Sequence, residues 1–166
     1  MSYVYKEVDS PVGKLKLVAN GSKLSAILWE HDRVNRVRLG PMCEEQDSPI
    51  LAEAERQLNE YFAGKRNCFE LELEFGGTEF QRKVWQALLS IPFGETRSYR
   101  EIAVQIGNAK AVRAVGAATG KNPISIIAPC HRVIGTSGDL TGFAGGLGTK
   151  KRLLALEGGD AQYASI

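Results

Sequence analysis

The sequence predicts a two-part α/β (α+β) chain: an amino-terminal antiparallel β-sheet with one helix, then a mostly helical carboxy-terminal part with a helix-turn-helix. Three patterns predict it. Residues 3–29 alternate polar and apolar side chains between turn signals, and residues 48–64 repeat apolar positions at helical spacing. From Thr78 onward, two capping-box signatures each open a helical run. The composition suits such a chain, since 166 residues with 43% apolar and 24% charged side chains are enough for one generous domain or two small ones around a buried core. No apolar run reaches membrane-spanning length, and the start Met1-Ser2-Tyr3-Val4-Tyr5-Lys6 lacks the apolar stretch of a signal peptide, so a cytoplasmic protein is expected. Three cysteines at unrelated spacings form no disulfide framework, which fits a reducing compartment.

Taken in order, Tyr3 to Val8 is β-prone and Asp9-Ser10-Pro11-Val12-Gly13 is turn chemistry. Lys14-Leu15-Lys16-Leu17 alternates as a half-buried strand should. Asn20-Gly21 marks a second turn, and Leu24 to Trp29 supplies a third strand. The polar stretch from Glu30 to Asp47 has no clear period, and His31 within it reads as a lone surface histidine. Ser48-Pro49 opens a helix, with serine as N-cap and proline at the first helical position, and Leu51, Leu58, Tyr61 and Phe62 share a face until Gly64. Phe69 to Phe75 alternates strictly between apolar and acidic residues and predicts a strand at the sheet edge or a ribbon leading outward. Gly76-Gly77 is the best candidate linker, dividing residues 1–77 from residues 78–160, with 161–166 as a disordered tail.

Thr78 with Gln81 begins the next helix, in which Phe80, Val84, Leu88 and Ile91 recur until Pro92. Ser98 with Glu101 opens a short helix through Ile102, Ala103 and Ile106 that stops at Gly107-Asn108, and another helix is expected from Ala109 to about Thr119. This helix-turn-helix lies on the basic part of the chain: residues 80–135 hold eight Lys and Arg against two Asp and Glu, whereas residues 1–79 hold ten against fourteen. Such an asymmetry points to an anionic partner, with nucleic acid the leading class and a merely solvated basic face the alternative. Ala111, Ala114, Ala117, Ala118 and Gly116 leave the second helix almost bare, with Lys110 and Arg113 as its long polar side chains. A major-groove reader needs several such side chains, so the composition favours minor-groove or backbone contact with Arg113 as the inserted group. Tight helix packing is the competing explanation.

After Asn122-Pro123, a short buried strand from Ile124 to Ile127 is expected to deliver Pro129-Cys130-His131-Arg132, with a single helical turn from His131 to Ile134. A thiol beside an imidazole and a guanidinium is a candidate nucleophile, because both cations favour the thiolate. Side chains of adjacent residues in a strand point to opposite faces, so this pair works only at a turn or through a bridging water. An inert buried cysteine and a metal ligand are the alternatives, the latter weakened because Cys43 and Cys68 stand alone. Gly138, Gly142, Gly145, Gly146 and Gly148 then make a loop, Thr149 is expected to cap a last helix over Lys150 to Glu157, and Gly158-Gly159 ends it.

Pro129-Cys130-His131-Arg132-Val133, with Asn122-Pro123 before it and Gly145-Gly146-Leu147 and Leu156-Glu157-Gly158 after it, closely resembles the methylated-DNA-protein-cysteine methyltransferases. Ser98-Tyr99 and Ala111-Val112-Arg113-Ala114-Val115-Gly116 extend the match, which runs motif by motif over residues 78–159 and in general pattern over residues 1–75. The resemblance implies a ribonuclease H-like first part and a winged-helix-like second part. It implies direct reversal of DNA damage, in which an alkylated guanine is flipped out of the duplex and its alkyl group passes once to Cys130. O4-alkylthymine is a possible further substrate. By position, His131 would deprotonate Cys130 through a water, Glu157 would orient His131, Asn122 would hold the turn beneath the pocket, and Tyr99 would donate a proton toward the leaving guanine. Arg113 would fill the gap left by the extruded nucleotide, with Lys110, Ser98 and Ala114 also at the DNA. Val133, Phe143, Ala144 and Gly145 would form the substrate pocket. The resemblance implies no cofactor and no metal, double-stranded DNA as partner, and a monomer.

Three positions depart from the family pattern. Phe143-Ala144 replaces the Tyr-Ser of some members, which removes a hydroxyl, and Lys121 replaces a frequent glycine; both bear on tolerance of bulky alkyl groups. Three rival functions remain. A non-enzymatic alkylguanine sensor would lack Cys130, a helix-turn-helix regulator would need a sequence-reading helix, and a cysteine hydrolase would turn over without DNA.

Overall fold

The structure, a computed structural model, describes residues 3–138, 140 and 142–158. Strands β1 (Tyr3–Val8), β2 (Leu15–Asn20) and β3 (Lys23–Trp29) form the expected antiparallel meander, with Lys6 opposite Leu17 and Leu17 opposite Ile27. A fourth strand, β4 (Met42–Glu44), pairs in parallel with β1, so the sheet has the order β3-β2-β1-β4 and is mixed rather than wholly antiparallel. Three residues are too few to show a period of two, which is why β4 is silent in the sequence. Helix α1 (Pro49–Phe62) starts where Ser48 and Pro49 place it, and it buries Leu51, Ala54, Leu58 and Tyr61 against the sheet. Truncating Leu58 to alanine there would cost about 2–5 kcal/mol.

Residues 69–75 do not form the expected edge strand. They run along β3 through a single bridge, Leu24 to Leu73, held by hydrogen bonds of 2.9 Å from Leu24 N–H to the Glu72 carbonyl and from Glu74 N–H to the Leu24 carbonyl. The alternation still decides the faces, because Phe69, Leu71, Leu73 and Phe75 pack on the core. Gly77 is a packed corner: its φ of 91° is left-handed, and a Cβ there would lie 2.8 Å from the Trp85 ring.

Beyond this corner lie α2 (Glu79–Leu89), β5 (Arg97–Ser98), α3 (Tyr99–Gln105) and α4 (Val112–Gly120). Both capping boxes close. Thr78 and Gln81 exchange hydrogen bonds of 2.9 and 3.1 Å, and Ser98 and Glu101 exchange bonds of 2.8 and 3.0 Å, each cap contributing about 1 kcal/mol. Helix α4 begins at Val112 rather than Ala109, because Asn108 to Ala111 closes a turn and Ala111 has no side chain with which to cap. A 3-10 turn over Cys130–Arg132 leads into β6 (Val133–Ile134), which pairs in parallel with β5. The last helix, α5 (Leu147–Leu156), starts earlier than expected: Gly146, at φ 94°, is its N-cap, and Thr149 sits inside the first turn instead of capping. Gly159 and the tail 161–166 lie outside the described residues.

One core joins the sheet and α1 to Ile124, Ile126, Ile127 and Leu153, and the other joins α2, α3 and α4 to Cys130 and Val133. Cys130 and the residues just before it thus lie where the two cores meet. No helix among the described residues is long and apolar enough to cross a membrane.

Candidate active site

The site grows from the turn after α4. Asn122 is fully buried; its Oδ1 accepts from the Ile124 N–H at 3.0 Å and its Nδ2 donates to the Ala128 carbonyl at 2.8 Å, so one side chain ties both ends of the turn. The strand expected at Ile124 to Ile127 is absent. Only Ile124 makes a bridge, to Ile27, and Ile126 adopts a φ of 76°, a conformation that costs a β-branched residue roughly 1–3 kcal/mol. The apolar run is buried as expected, but it is buried as a turn, which brings Cys130 and His131 into a single helical turn instead of opposite faces of a strand.

Cys130 is only 5% exposed and lines a cavity of about 370 Å³ together with Tyr99, Gly116, Thr119, Arg36, Phe143 and Ala144. Burial pushes its thiol above the ordinary value, against a hydrogen bond with Asn122 and the charges of Arg36 and Lys150. Neither His131 nor Arg132 turns its side chain to the thiol, because both point at Glu157. Arg132 grips that carboxylate as a fork, with Nε donating to Oε1 at 2.8 Å and Nη2 to Oε2 at 3.0 Å, while its Nη1 donates to the Ile91 carbonyl at 2.7 Å.

His131 Nε2 lies 2.7 Å from Glu157 Oε2, and both side chains are almost wholly removed from solvent. Burial opposes ionisation of Glu157, yet the hydrogen bonds and charges of His131 and Arg132 outweigh it and hold the carboxyl down at about 2. Burial likewise pushes His131 below the ordinary imidazole value despite the neighbouring carboxylate. A neutral imidazole facing an ionised carboxylate carries its proton on Nε2, a tautomer assigned from this network. Nδ1, buried and with no protein partner, is left as the basic lone pair.

Three further residues belong to the site and are not singled out by the sequence reading. Tyr61, from α1, donates its hydroxyl to Glu157 Oε2 at 2.5 Å. Lys150 is completely buried and donates to the Val133 carbonyl at 2.7 Å; burial lowers its pKa to about 8, with the Cys130 charge opposing. Arg36 spans from Asp32, at 2.6 and 2.9 Å, to the carbonyls of Gly120 at 3.1 Å and Asn122 at 2.9 Å. A signal for Lys150 exists in the sequence: Lys150, Leu153, Leu154 and Glu157 fall at i, i+3, i+4 and i+7, a helical face on which two charges share the buried side with two leucines. Tyr61 carries a subtler one, because a tyrosine on an apolar helical face needs a partner for its hydroxyl.

The remaining candidates sort by position. Tyr99 opens α3 on the cavity wall, and its ring lies 3.9 Å from where a Cβ on Gly116 would stand. Phe143 and Ala144 line the cavity, whereas Val133 is buried behind it and Gly145 packs on Trp29, where a Cβ would come within 2.8 Å of the ring. Lys110, Arg113 and Ala114 are exposed around the start of α4, and Ser98 is occupied as the N-cap of α3. A larger cavity of about 470 Å³ lies between Tyr3, Arg38, Gly77, Trp85 and Lys121, but no cysteine or histidine lines it. His31, Cys43 and Cys68 are exposed, and among the described residues no group of His, Cys, Asp and Glu could hold a metal ion.

Residues 79–159 match the 6-O-methylguanine DNA methyltransferase DNA-binding domain, and residues 3–75 match the ribonuclease-like domain of the same proteins. The methylated-DNA–protein-cysteine methyltransferase of Mycobacterium tuberculosis is 51% identical over 155 residues, covering 92% of this chain and 91% of that protein. The constitutive Bacillus subtilis methyltransferase is 47% identical over 146 residues, covering 87% and 88%. The crystal structure of Mycobacterium tuberculosis OGT in complex with DNA superposes with a TM-score of 0.86 at 48% identity, covering 95% of this chain and 92% of that one. Matched along both of its parts and at this level of identity, the chain belongs to the 6-O-methylguanine DNA methyltransferase family.

Proposed function

We propose that this protein repairs DNA by taking the alkyl group of an O6-alkylguanine onto Cys130, once per molecule. The observation that carries the reading is a buried thiol at the wall of a cavity, backed by an imidazole whose Nε2 is fixed on a carboxylate and whose Nδ1 is unclaimed. Because burial favours the thiol, a base is required. His131 Nδ1 serves as that base through a bridging water, and Glu157 stabilises the imidazolium that forms.

The thiolate attacks the alkyl carbon in line with the C–O6 bond. A C–S bond forms, the C–O6 pair returns to the ring as O6 becomes a carbonyl oxygen, and a proton delivered to the base from the Tyr99 side leaves neutral guanine. In sum, the proton of the thiol replaces the alkyl group on the base. The product is a thioether, which water does not cleave, so each molecule acts once and no cofactor takes part. Arg113, with Lys110, Ser98 and Ala114 beside it, holds the duplex from the minor groove while the damaged base is turned into the cavity. Residues 1–77 and 78–160 are taken as the supporting and acting parts, and the setting that fits the substrate and the free thiols is the cell interior.

The test is mass spectrometry of the intact protein and its peptides after incubation with duplex DNA carrying one O6-methylguanine. One methyl group per molecule on the peptide bearing Cys130, with guanine restored, is the expected result. DNA binding without a methyl gained would make the protein a lesion sensor. Multiple turnover on esters with no response to DNA would make it a hydrolase.

A further inference from the structure

We propose that the amino-terminal half takes part in the reaction through Tyr61, whose hydroxyl holds the Glu157 carboxylate and thereby sets how readily His131 takes the Cys130 proton. The inference rests on the alkyl-transfer reading above and assigns to it a positioning residue from outside the carboxy-terminal half. Glu157 Oε2 accepts from three donors: Tyr61 at 2.5 Å, His131 at 2.7 Å and Arg132 at 3.0 Å. Two of them are neighbours in the 3-10 turn, and the third crosses from α1.

The ring of Tyr61 does not depend on this hydrogen bond for its place. Phe62, Phe69 and Phe93 surround it at centroid distances of 5.2, 5.5 and 6.3 Å, and the residue is 1% exposed. An aromatic cluster of this kind fixes the ring and leaves the hydroxyl one polar target, the carboxylate of Glu157. Burial and the Glu157 charge both push the phenol above its ordinary value, so Tyr61 is a permanent donor at any pH the protein meets.

The titratable groups facing His131 are Glu157 and Lys150 from the last helix and its cap, and Arg132 and Cys130 from its own turn; Tyr61 reaches it from α1 through Glu157. A donor that shares Oε2 with His131 draws on the same electron density and weakens the pull of that oxygen on the Nε2 proton. The imidazole is thereby kept neutral, with Nδ1 available as base. Without the hydroxyl the carboxylate is more basic, the imidazolium is better stabilised, and His131 holds a proton to higher pH.

Tyr61→Phe keeps the ring and removes only the donor. The rate of a single transfer, measured against pH with O6-methylguanine duplex and with free O6-benzylguanine, is expected to fall about tenfold on the acid limb, which is displaced upward by about one pH unit on both substrates. A histidine-ring NMR titration reads the same effect without the reaction. The chain has two histidines, so the His131 midpoint should rise while that of exposed His31 stays in place as the internal standard. Superimposable pH profiles for the two proteins, or a uniform loss of rate and thermal stability with an unmoved His131 midpoint, would overturn the role. Wild-type protein that gains no alkyl group would sink the underlying function instead, and that result is separable from an unchanged His131 midpoint.

Discussion

Behind Cys130, three donors from two distant parts of the chain saturate one carboxylate in a space closed to solvent, whereas around the start of α4 Lys110 and Arg113 stand exposed and make no ion pair among the described residues. Under the proposed function, the difference reflects what each region acts upon. A proton must move along a fixed path, so its groups are tied before the substrate arrives. A phosphate backbone brings its own charge, so the groups that meet it are held out in water until it docks. Substitutions in the buried region should change chemistry and stability together, and substitutions on the exposed face should change duplex affinity alone.

Cys130→Ala gives the largest effect on this contrast. Transfer should be lost entirely, as read by mass spectrometry, while a gel-shift titration of duplex DNA stays close to wild type. Glu157→Ala should come next, because it strands Arg132 and His131 in the interior. A loss of about 3–5 kcal/mol in urea unfolding is expected along with the loss of transfer, and a stable variant that still transferred would show the buried network to be dispensable.

The same network makes stability fall with acid. The His131 pKa is depressed in the folded state, so the unfolded chain binds more protons as pH drops through the ordinary imidazole value near 6.5. Glu157, held at about 2 against a usual 4.5, contributes stability that is present above 4.5 and is lost as pH falls toward 2. Urea midpoints measured from pH 7 down to pH 3 should decline through both windows, and Glu157→Gln should flatten the lower one.

On the exposed face, Arg113→Ala should slow repair of duplex substrate about tenfold, about 1.4 kcal/mol, and leave reaction with free O6-benzylguanine nearly unchanged; equal losses on both would remove its role in base flipping. Lys110→Ala should be the mildest. Binding weakens evenly across sequences, and the log–log salt dependence of affinity flattens by about one unit.

Helix starts are the most legible feature of this chain. Ser48-Pro49, Thr78 with Gln81 and Ser98 with Glu101 announce caps that the structure closes atom by atom, because a cap is satisfied by residues within one turn of it. Where the cap is a glycine backbone, as at Gly146, or a bare alanine, as at Ala111, the start is misplaced by a few residues. The run from Ile124 to Ile127 reads as a strand because burial alone gives the same apolar pattern to a turn, and Asn122, whose side chain converts one into the other, acts through atoms two and six residues away.

The sequence by itself determined the two-part architecture, the strands of the meander, the basic helix pair and the motif around Cys130, since these depend on periods, caps and order along the chain. Only the tertiary structure decided that Arg132 turns from the thiol to Glu157, that the thiol is buried, and that Tyr61, Lys150 and Arg36 close on the site from elsewhere. The physical reason is that a pKa and a hydrogen-bond partner depend on the three-dimensional surroundings of an atom. Glu157 meets Tyr61 across 96 positions of sequence, a separation over which local patterns carry no information.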